Sequence, residues 1–313
     1  MKNIVRIAWI ITIVLIVLIV VLLILYPQDR VEANPNFPEL TGPYLGQKPP
    51  GEYAERFAPD LMSAELHTAV VFSPDGREVY WKPMAEDGAN EILFMKLEDE
   101  KWTHPQVVPF ASRFFNSDDP SFLPDGTKLF FTSFRPVHWR QILDARETIW
   151  YVERTQGGWS KVKEVGAAIN TMDLHWQLSI SRNETIFFAS GGDIYRSVLE
   201  DGEYQEPTKL SSAVNTASNE GHPYIAPDES YLIFSSNDPA NSLGDYDLYV
   251  SLQESDGSWS AAMNLGERIN SKYQDLYPVV SPDQKYLFFL SNREGMYSIY
   301  WIDFEPVKTL ISE

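Results

Sequence analysis

The chain contains no cysteine among its 313 residues. This excludes thiol catalysis, disulfide bonds, cysteine-bound zinc and the acylated cysteine of a bacterial lipoprotein anchor. The absence does not indicate a redox compartment, because a domain of this length can bury a sufficient core without disulfides.

Basic side chains are also scarce, since 25 Lys and Arg stand against 44 Asp and Glu and give a formal net charge of −19. Nucleic acids and anionic lipid surfaces are bound through clustered Lys and Arg, so we expect no nucleic-acid partner. The sequence also lacks Gly-x-Ser-x-Gly, His-Glu-x-x-His and a phosphate-binding glycine loop. The acidic balance leaves a basic protein or a divalent cation as candidate partners.

The longest hydrophobic run, residues 7–26, is uncharged and almost wholly aliphatic. At about 1.5 Å per residue a helix of this length spans roughly 30 Å, the thickness of a hydrocarbon core. Lys2 and Arg6 precede the run and acidic residues follow it, which places residues 1–6 in the cytoplasm. We predict a single transmembrane helix that anchors an extracytoplasmic domain in the cell membrane, facing the periplasm or the cell surface. The alternative is a cleaved signal peptide and a secreted domain.

Three further segments follow the hydrophobic run. Residues 27–52 contain six prolines and predict an extended linker. Residues 53–303 are repetitive and predict one domain, and residues 304–313 form a C-terminal tail.

The repeat is organised around a four-residue phrase, first seen as Ser73-Pro74-Asp75-Gly76. The other copies are Leu123-Pro124-Asp125-Gly126, Ser181-Arg182-Asn183-Glu184, Ala226-Pro227-Asp228-Glu229 and Ser281-Pro282-Asp283-Gln284. Proline presets the backbone for a turn, and Asp, Asn and Gly tolerate the remaining turn dihedrals. An aromatic-rich run follows each copy, as in Leu129-Phe130-Phe131, and predicts the return strand of a hairpin. We call the short run before the turn strand a and the aromatic run after it strand b.

Each repeat continues with a strand c that bears an aromatic residue, and four of the repeats then have a strand d that opens with an aromatic residue. A four-stranded unit of about 50 residues is typical of a propeller blade. The repeats contain five copies each of strands a, b and c but only four copies of strand d. The missing copy is expected near the start of the domain, because Gly51-Glu52-Tyr53 resembles the start of strand d at Gly202-Glu203-Tyr204. We therefore expect residues 53–58 to pair with the last strand c, near residues 299–302, and to close the ring. The prediction is an all-β, five-bladed β-propeller of four-stranded antiparallel blades, with six blades as the alternative.

The recurring turn and the strands after it resemble the WD40-like, or PD40, repeat of TolB-type propeller proteins over about residues 51–303. The lead-in at residues 44–51 is also similar to the segment that precedes such propellers. The third copy departs from the pattern, because Arg182 replaces the proline. The resemblance implies a propeller fold and an extracytoplasmic setting, but it does not imply a function, since propellers serve binding, scaffolding and catalysis.

The sharpest functional feature is a set of acidic, histidine and tyrosine residues just before each strand a, which meet at one mouth of a propeller channel. They are Glu65, His67, Asp118, Asp119, Asp173, His175, Glu220, His222, Asp275 and Tyr277. This pattern predicts a site for a hard cation, a sugar or a basic peptide, with Ca²⁺ suited to the carboxylates and Zn²⁺ to the imidazoles. Two such carboxylates could instead perform acid–base chemistry on a glycoside. The alternative interpretation is that each acid accepts backbone N–H bonds in its own turn.

The loop between strands b and c of the second repeat, residues 133–148, is the longest of its kind and carries Arg135, His138 and Trp139. Long loops in compact repeats are often functional, so it predicts a lid over this mouth, although it could equally pack on the propeller surface. Arg293 is expected to face the same mouth. We predict a membrane-anchored binding module for a protein or carbohydrate ligand that requires no cofactor, with a carbohydrate-active hydrolase and a purely structural envelope protein as alternatives.

Overall fold

The computed structural model describes residues 37–84, 91–112, 115–137, 146–174, 177–238 and 240–312, together with five helical positions among the first 18 residues. The chain divides into two units, residues 1–33 and residues 34–313, and only the second is described further. Among the described residues no helix is long and apolar enough to cross a membrane. The predicted transmembrane helix at residues 7–26 lies mostly outside the described residues.

The second unit is a ring of antiparallel sheets, or blades, in which strand a lies at the central channel and strand d at the outside. The first strand of the chain is β1 (Glu55–Arg56). Blade 1 contains β2 (Val71–Phe72), β3 (Glu78–Trp81), β4 (Leu93–Glu98), β5 (Lys101–Trp102) and β6 (Gln106–Val107). Blade 2 contains β7 (Ser117–Phe122), β8 (Lys128–Ser133), β9 (Thr148–Thr155), β10 (Gly158–Trp159) and β11 (Lys163–Glu164).

The remaining blades follow the same order. Blade 3 contains β12 (Leu178–Ile180), β13 (Ile186–Ser190), β14 (Asp193–Ser197), β15 (Leu199–Glu200), β16 (Glu203–Tyr204) and β17 (Thr208–Lys209). Blade 4 contains β18 (Glu220–Ile225), β19 (Tyr231–Ser236), β20 (Asp247–Leu252) and β21 (Met263–Asn264). Blade 5 contains β22 (Asp275–Val280), β23 (Tyr286–Ser291), β24 (Ser298–Asp303) and the early strand β1. The helical elements described in this unit are a 3-10 turn (Pro43–Gly46), α1 (Ala167–Asn170) and α2 (Glu305–Ser312).

The repeated four-residue phrase forms the predicted turn between strands a and b in all five blades. In each copy the fourth residue donates its N–H to the carbonyl of the first, as Gly76 does to Ser73 at 2.7 Å. The fourth residue has a positive φ, such as 69° at Gly76 and 76° at Gly126, which glycine adopts without steric cost. The aspartate of the phrase adds a side-chain cap, because Asp75 Oδ1 accepts the N–H of Arg77 at 3.0 Å.

The ring closes as the sequence predicts, because β1 pairs antiparallel with β24 through Glu55 opposite Trp301. Phe57 follows β1, is buried, and lies 5.1 Å by ring centroid from both Phe288 and Trp301. Five hydrophobic clusters fill the contacts between neighbouring blades, one for each pair, including blade 5 with blade 1. The five-bladed all-β propeller is therefore confirmed, and the closure removes the open sheet edge.

The two faces of the ring carry different connections. The a–b turns and c–d turns lie on one side, here called the lower face, and the b–c and d–a loops lie on the other, the upper face. The last part of the predicted linker packs on the propeller, since Leu45 is buried and Tyr44 Oη donates to Asp283 Oδ1 at 2.6 Å. The predicted tail at residues 304–313 includes α2, whose Val307 is fully buried against blades 4 and 5.

Candidate functional site

A distorted strand a places side chains in the upper mouth of the channel. In blades 2, 4 and 5 the pairing of strand a with strand b shifts by a β-bulge. Asp119, His222 and Tyr277 occupy the same position in these bulges, with φ of 49°, 51° and 54°, and a proline follows each. Left-handed backbone at non-glycine residues is unfavourable and often marks a functional constraint. Here the bulge holds three large polar side chains at equivalent positions around the channel.

These side chains form one group with residues of blade 1. The ring of His222 lies 4.0 Å from that of Tyr277, and the ring of His67 lies 6.4 Å from the same tyrosine. Asp118 lies 3.1 Å from His67 Nδ1 and accepts a 2.5 Å hydrogen bond from Lys82 Nζ. We call this group the upper-mouth cluster; its members are His67, Lys82, Asp118, Asp119, His222 and Tyr277.

Burial and neighbouring charge set the protonation of the upper-mouth cluster. The carboxylate of Asp118 raises the pKa of His67. Burial, together with the negative charges of Asp118 and Glu147, raises the pKa of Asp119 well above its usual range. Burial, reinforced by the positive charge of His67, lowers the pKa of His222 to about 3. At neutral pH His222 is therefore an uncharged ring, with Nδ1 2.6 Å from Ser235 Oγ.

Two of the predicted mouth acids are fully buried and are engaged within their own blades. Glu220 accepts the backbone N–H of Thr216 at 2.9 Å and the hydroxyl of Ser236 at 2.9 Å. Asp275 accepts the backbone N–H of Ser271 at 2.6 Å and pairs with Arg293 at 2.6 Å. In these two blades the acid closes the d–a loop, which is the turn-satisfying role considered above.

The other predicted residues lie nearer to solvent or outside the described residues. Glu65 is half-buried, and Asp173 is exposed on the loop before strand a of blade 3. His175, His138 and Trp139 lie outside the described residues. Ligand binding by the mouth residues stays a prediction.

Arg135 and Arg293 play matching packing roles after strand b of blades 2 and 5. The guanidinium of Arg135 lies 5.6 Å from the Phe131 ring centroid and donates to the carbonyl of Phe110. The guanidinium of Arg293 lies 5.2 Å from the Phe289 ring and donates to the carbonyl of Ile269 at 2.6 Å. Both side chains tie a b–c loop to a d–a loop and stabilise the upper face.

Lys82 is the member of the upper-mouth cluster that was not anticipated from the sequence. Lys82 follows the buried strand β3 directly, and its side chain is only 1% exposed even though it is charged. The equivalent residues in the other blades are Thr132, Ala189, Ser235 and Leu290, none of which is charged. A lone lysine at an otherwise uncharged strand position is the signal that could have identified it, because buried lysines are almost always paired.

The spacing of the acidic and histidine side chains bears on metal binding. In the part of the chain that the structure describes, no three His, Asp or Glu side chains are arranged to hold a metal ion. The carboxylate of Asp118 is instead engaged by a lysine and a histidine.

The fold is shared with solved TolB structures. This chain is 13% identical to TolB from Acinetobacter baumannii, with a TM-score of 0.51 over 78% of this chain and 53% of that one. It is 18% identical to a TolB-type protein from Agrobacterium tumefaciens, with a TM-score of 0.50 over 77% and 78% of the two chains. This is a TolB-like β-propeller fold.

The resemblance predicted from the repeats is thus confirmed for the fold, which is all that similarity at this level of identity shows. The chain spans about half the length of the Acinetobacter protein. Its sequence matches no protein-family model, and no curated protein is similar to it in sequence.

Proposed function

We propose that this chain is a binding module whose upper face recognises a protein partner bearing apolar and basic side chains. The observation that carries the proposal is the distribution of exposed apolar side chains. Among the described residues of the propeller unit, the exposed large hydrophobic residues are Tyr53, Met84, Phe134, Leu243, Tyr273 and Met296. All except Tyr53 lie on b–c or d–a loops, and therefore on the upper face.

Four of these residues lie along neighbouring loops of blades 4, 5 and 1. Backbone hydrogen bonds join the loops, since Asp245 N–H donates to Tyr273 at 3.0 Å and Met84 N–H donates to Glu65 at 2.8 Å. A third bond, from Leu66 N–H to the carbonyl of Tyr297 at 3.0 Å, joins blade 1 to blade 5. We call Leu243, Tyr273, Met296 and Met84 the upper-face arc. Tyrosine, phenylalanine and methionine are enriched at protein interfaces, and exposed apolar patches mark interaction sites.

The charge around the upper-face arc indicates the chemistry of the partner. Asp245 and Glu294 are exposed beside the arc and Glu65 is half-buried. Glu294 pairs with Arg56 at 3.5 Å, and Lys272 is the exposed cation next to Tyr273. The chain as a whole carries a formal charge of −19. A partner with basic side chains would be attracted by this field and would approach faster at low ionic strength.

The hydrolase alternative receives less support from the geometry. A glycoside hydrolase needs two carboxylates about 5–10 Å apart across an open cleft. Glu220 and Asp275 are fully buried and hydrogen-bonded, and Asp118 pairs with Lys82. None of these three carboxylates is free to act as the acid or the base.

The hydrophobic run at residues 7–26 supports a further part of the proposal, that the propeller is anchored in a membrane and faces away from the cytoplasm. The test is to treat membranes containing the full chain with alkaline carbonate, and to expose cells stripped of their outer layers, with the cytoplasmic membrane intact, to protease. An anchored protein stays in the membrane pellet, and its propeller is cleaved in the stripped cells. Release by carbonate would contradict the anchor, and protection that is lost only when the cytoplasmic membrane is lysed would contradict the orientation.

Site-specific photo-cross-linking tests the binding surface. A photo-reactive phenylalanine analogue replaces Tyr273 in the upper-face arc and, as a matched control, Tyr53, which is an exposed tyrosine outside these loops. We expect a protein adduct from position 273 and none from position 53. Equal adducts from both positions, or none from position 273, would show that the arc is not the binding surface.

Charge reversal separates specific docking from chance collision. The double change Asp245→Lys and Glu294→Lys should abolish the adduct from position 273, because it inverts the charge beside the arc. The control is the double change Glu203→Lys and Glu206→Lys, at two exposed residues of blade 3, which should leave the adduct intact.

A further inference from the structure

The lower mouth of the channel holds a cavity that belongs to no site described so far. Its volume is about 230 Å³, and all of its lining residues are described. The rim is built from the second residue of all five a–b turns, namely Pro74, Pro124, Arg182, Pro227 and Pro282. The departure of the third repeat from the proline pattern therefore places one arginine in a ring of four prolines.

The turn that carries Arg182 is held to its neighbour. The N–H of Arg182 donates to the carbonyl of Pro227 at 2.8 Å, a bond that a proline at this position could not make. No carboxylate lines the cavity in the described part of the chain, and Arg182 is its one cation. Asp228 of the neighbouring turn lies near Arg182 and interacts electrostatically with it. Within the lining itself, Arg182 is the one group that favours an anion.

The walls come from one inward-facing position of strand a, the residue paired with the middle of strand b in each blade. These residues are Val71, Ser121, Ser179, Tyr224 and Val279. Two valines and a tyrosine ring offer apolar surface, and the serines add small hydroxyl groups. A cavity of about 150 Å³ can hold benzene, so this one has room for a single ring with short substituents.

The floor of the cavity is formed by Gln177. This residue is 7% exposed, and its Nε2 donates to the carbonyl of Pro278 at 2.9 Å. Oε1 has no hydrogen-bond partner among the described residues. Gln177, together with Val71, Pro120 and Val279, also lines a space of only about 10 Å³ beside Asp119 and Tyr277, so these four residues separate the cavity from the upper-mouth cluster. A buried carbonyl oxygen without a partner favours a ligand that donates a hydrogen bond.

We propose that the lower cavity binds a small single-ring organic acid, with its ring between the strand-a side chains, a hydroxyl or amino donor at Gln177 Oε1 and its carboxylate at Arg182. This site is independent of the upper-face arc. The rim arginine sets the preference for an acid, and the floor glutamine sets the preference for a donor. The cavity volume sets the limit on size.

Isothermal titration of the full chain tests the proposal with three matched probes. They are 3-(4-hydroxyphenyl)propionate, its uncharged amide, and 3-phenylpropionate, which lacks the hydroxyl donor. We expect one-site binding of the first probe and about tenfold weaker binding of the other two, because each loses one polar contact. Absence of binding by all three at millimolar concentration would overturn the proposal.

Two variants locate the binding. Ser121→Tyr fills the cavity with the residue that blade 4 already carries at this position as Tyr224, and it should abolish binding while the thermal melt shows a folded protein. Arg182→Gln should remove the preference for the acid over the amide, whereas Arg196→Gln on β14 of the same blade should not. Unchanged binding in Ser121→Tyr, or a preserved acid preference in Arg182→Gln, would refute the assignment.

Discussion

The buried ring of His222 should make the stability of the propeller depend on pH in a defined window. The pKa of His222 falls from 6.5 to about 3 in the folded protein, because burial disfavours the charged ring. Below pH 6.5 the unfolded chain binds a proton that the folded protein does not. The contribution to stability is therefore complete above pH 6.5 and is lost progressively as the pH falls towards 3.

The magnitude follows from the shift. Each pH unit in this window costs about 1.4 kcal/mol, so between pH 6.5 and pH 5 the folded protein should lose roughly 2 kcal/mol through His222 alone. No large correction for solvent is needed, because the residue is only 3% exposed. His222→Asn removes the titrating ring and keeps a residue that tolerates the φ of 51° found there.

The assay is urea unfolding of the full chain at pH 8, 6.5 and 5, with His222→Asn and wild type compared at each pH. The variant should be less stable than wild type at pH 8, because it loses the contact with Tyr277, and the difference should shrink by about 2 kcal/mol at pH 5. His104→Asn, a change at an exposed histidine, serves as the control and should keep the pH dependence of wild type. Parallel curves for wild type and His222→Asn would refute the reasoning.

Three other substitutions test the packing of the ring, each by urea unfolding at pH 7. Asp118→Asn should cost about 3 kcal/mol or more, because it leaves Lys82 buried without its carboxylate; a loss below about 1 kcal/mol would contradict the pairing. Gly244→Ala should destabilise by more than about 2 kcal/mol, because its methyl would lie 2.2 Å from a backbone carbonyl, whereas Gly157→Ala meets no atom within 4 Å and should be nearly neutral. Phe57→Ala should cost about 3–5 kcal/mol, because it opens the contact that closes the ring, and near-wild-type stability would argue against closure by β1.

Much of the fold follows from local sequence. The turn phrase with proline and aspartate acts within four residues, and the aromatic run after it suits a strand buried on both sides. Tyr80 shows this directly, since it packs towards blade 2 while its neighbours Val79 and Trp81 pack towards blade 5. The unequal count of strands a and d also predicted the closure by residues 53–58, because an unpaired edge strand needs a partner.

Sequence reasoning placed the acidic and histidine residues at one mouth, but it did not distinguish their roles. Glu220 and Asp118 look alike in sequence as acids near the start of strand a. The structure buries Glu220 against its own loop and pairs Asp118 with Lys82 from the adjacent blade. The two acids lie one position apart along strand a. The residue of blade 2 that corresponds to Glu220 is Ser117, and Asp118 is the next residue along the strand.

The contacts between blades were decided only by the tertiary structure. Lys82 and Asp118 lie on different blades, and Arg182 lines one cavity together with turn prolines from the four other blades. Turn chemistry and strand alternation act between neighbours in sequence, so they determine each hairpin and its buried faces. Which side chains meet in the channel depends instead on how five twisted sheets pack around one axis, and that geometry is a property of the closed ring.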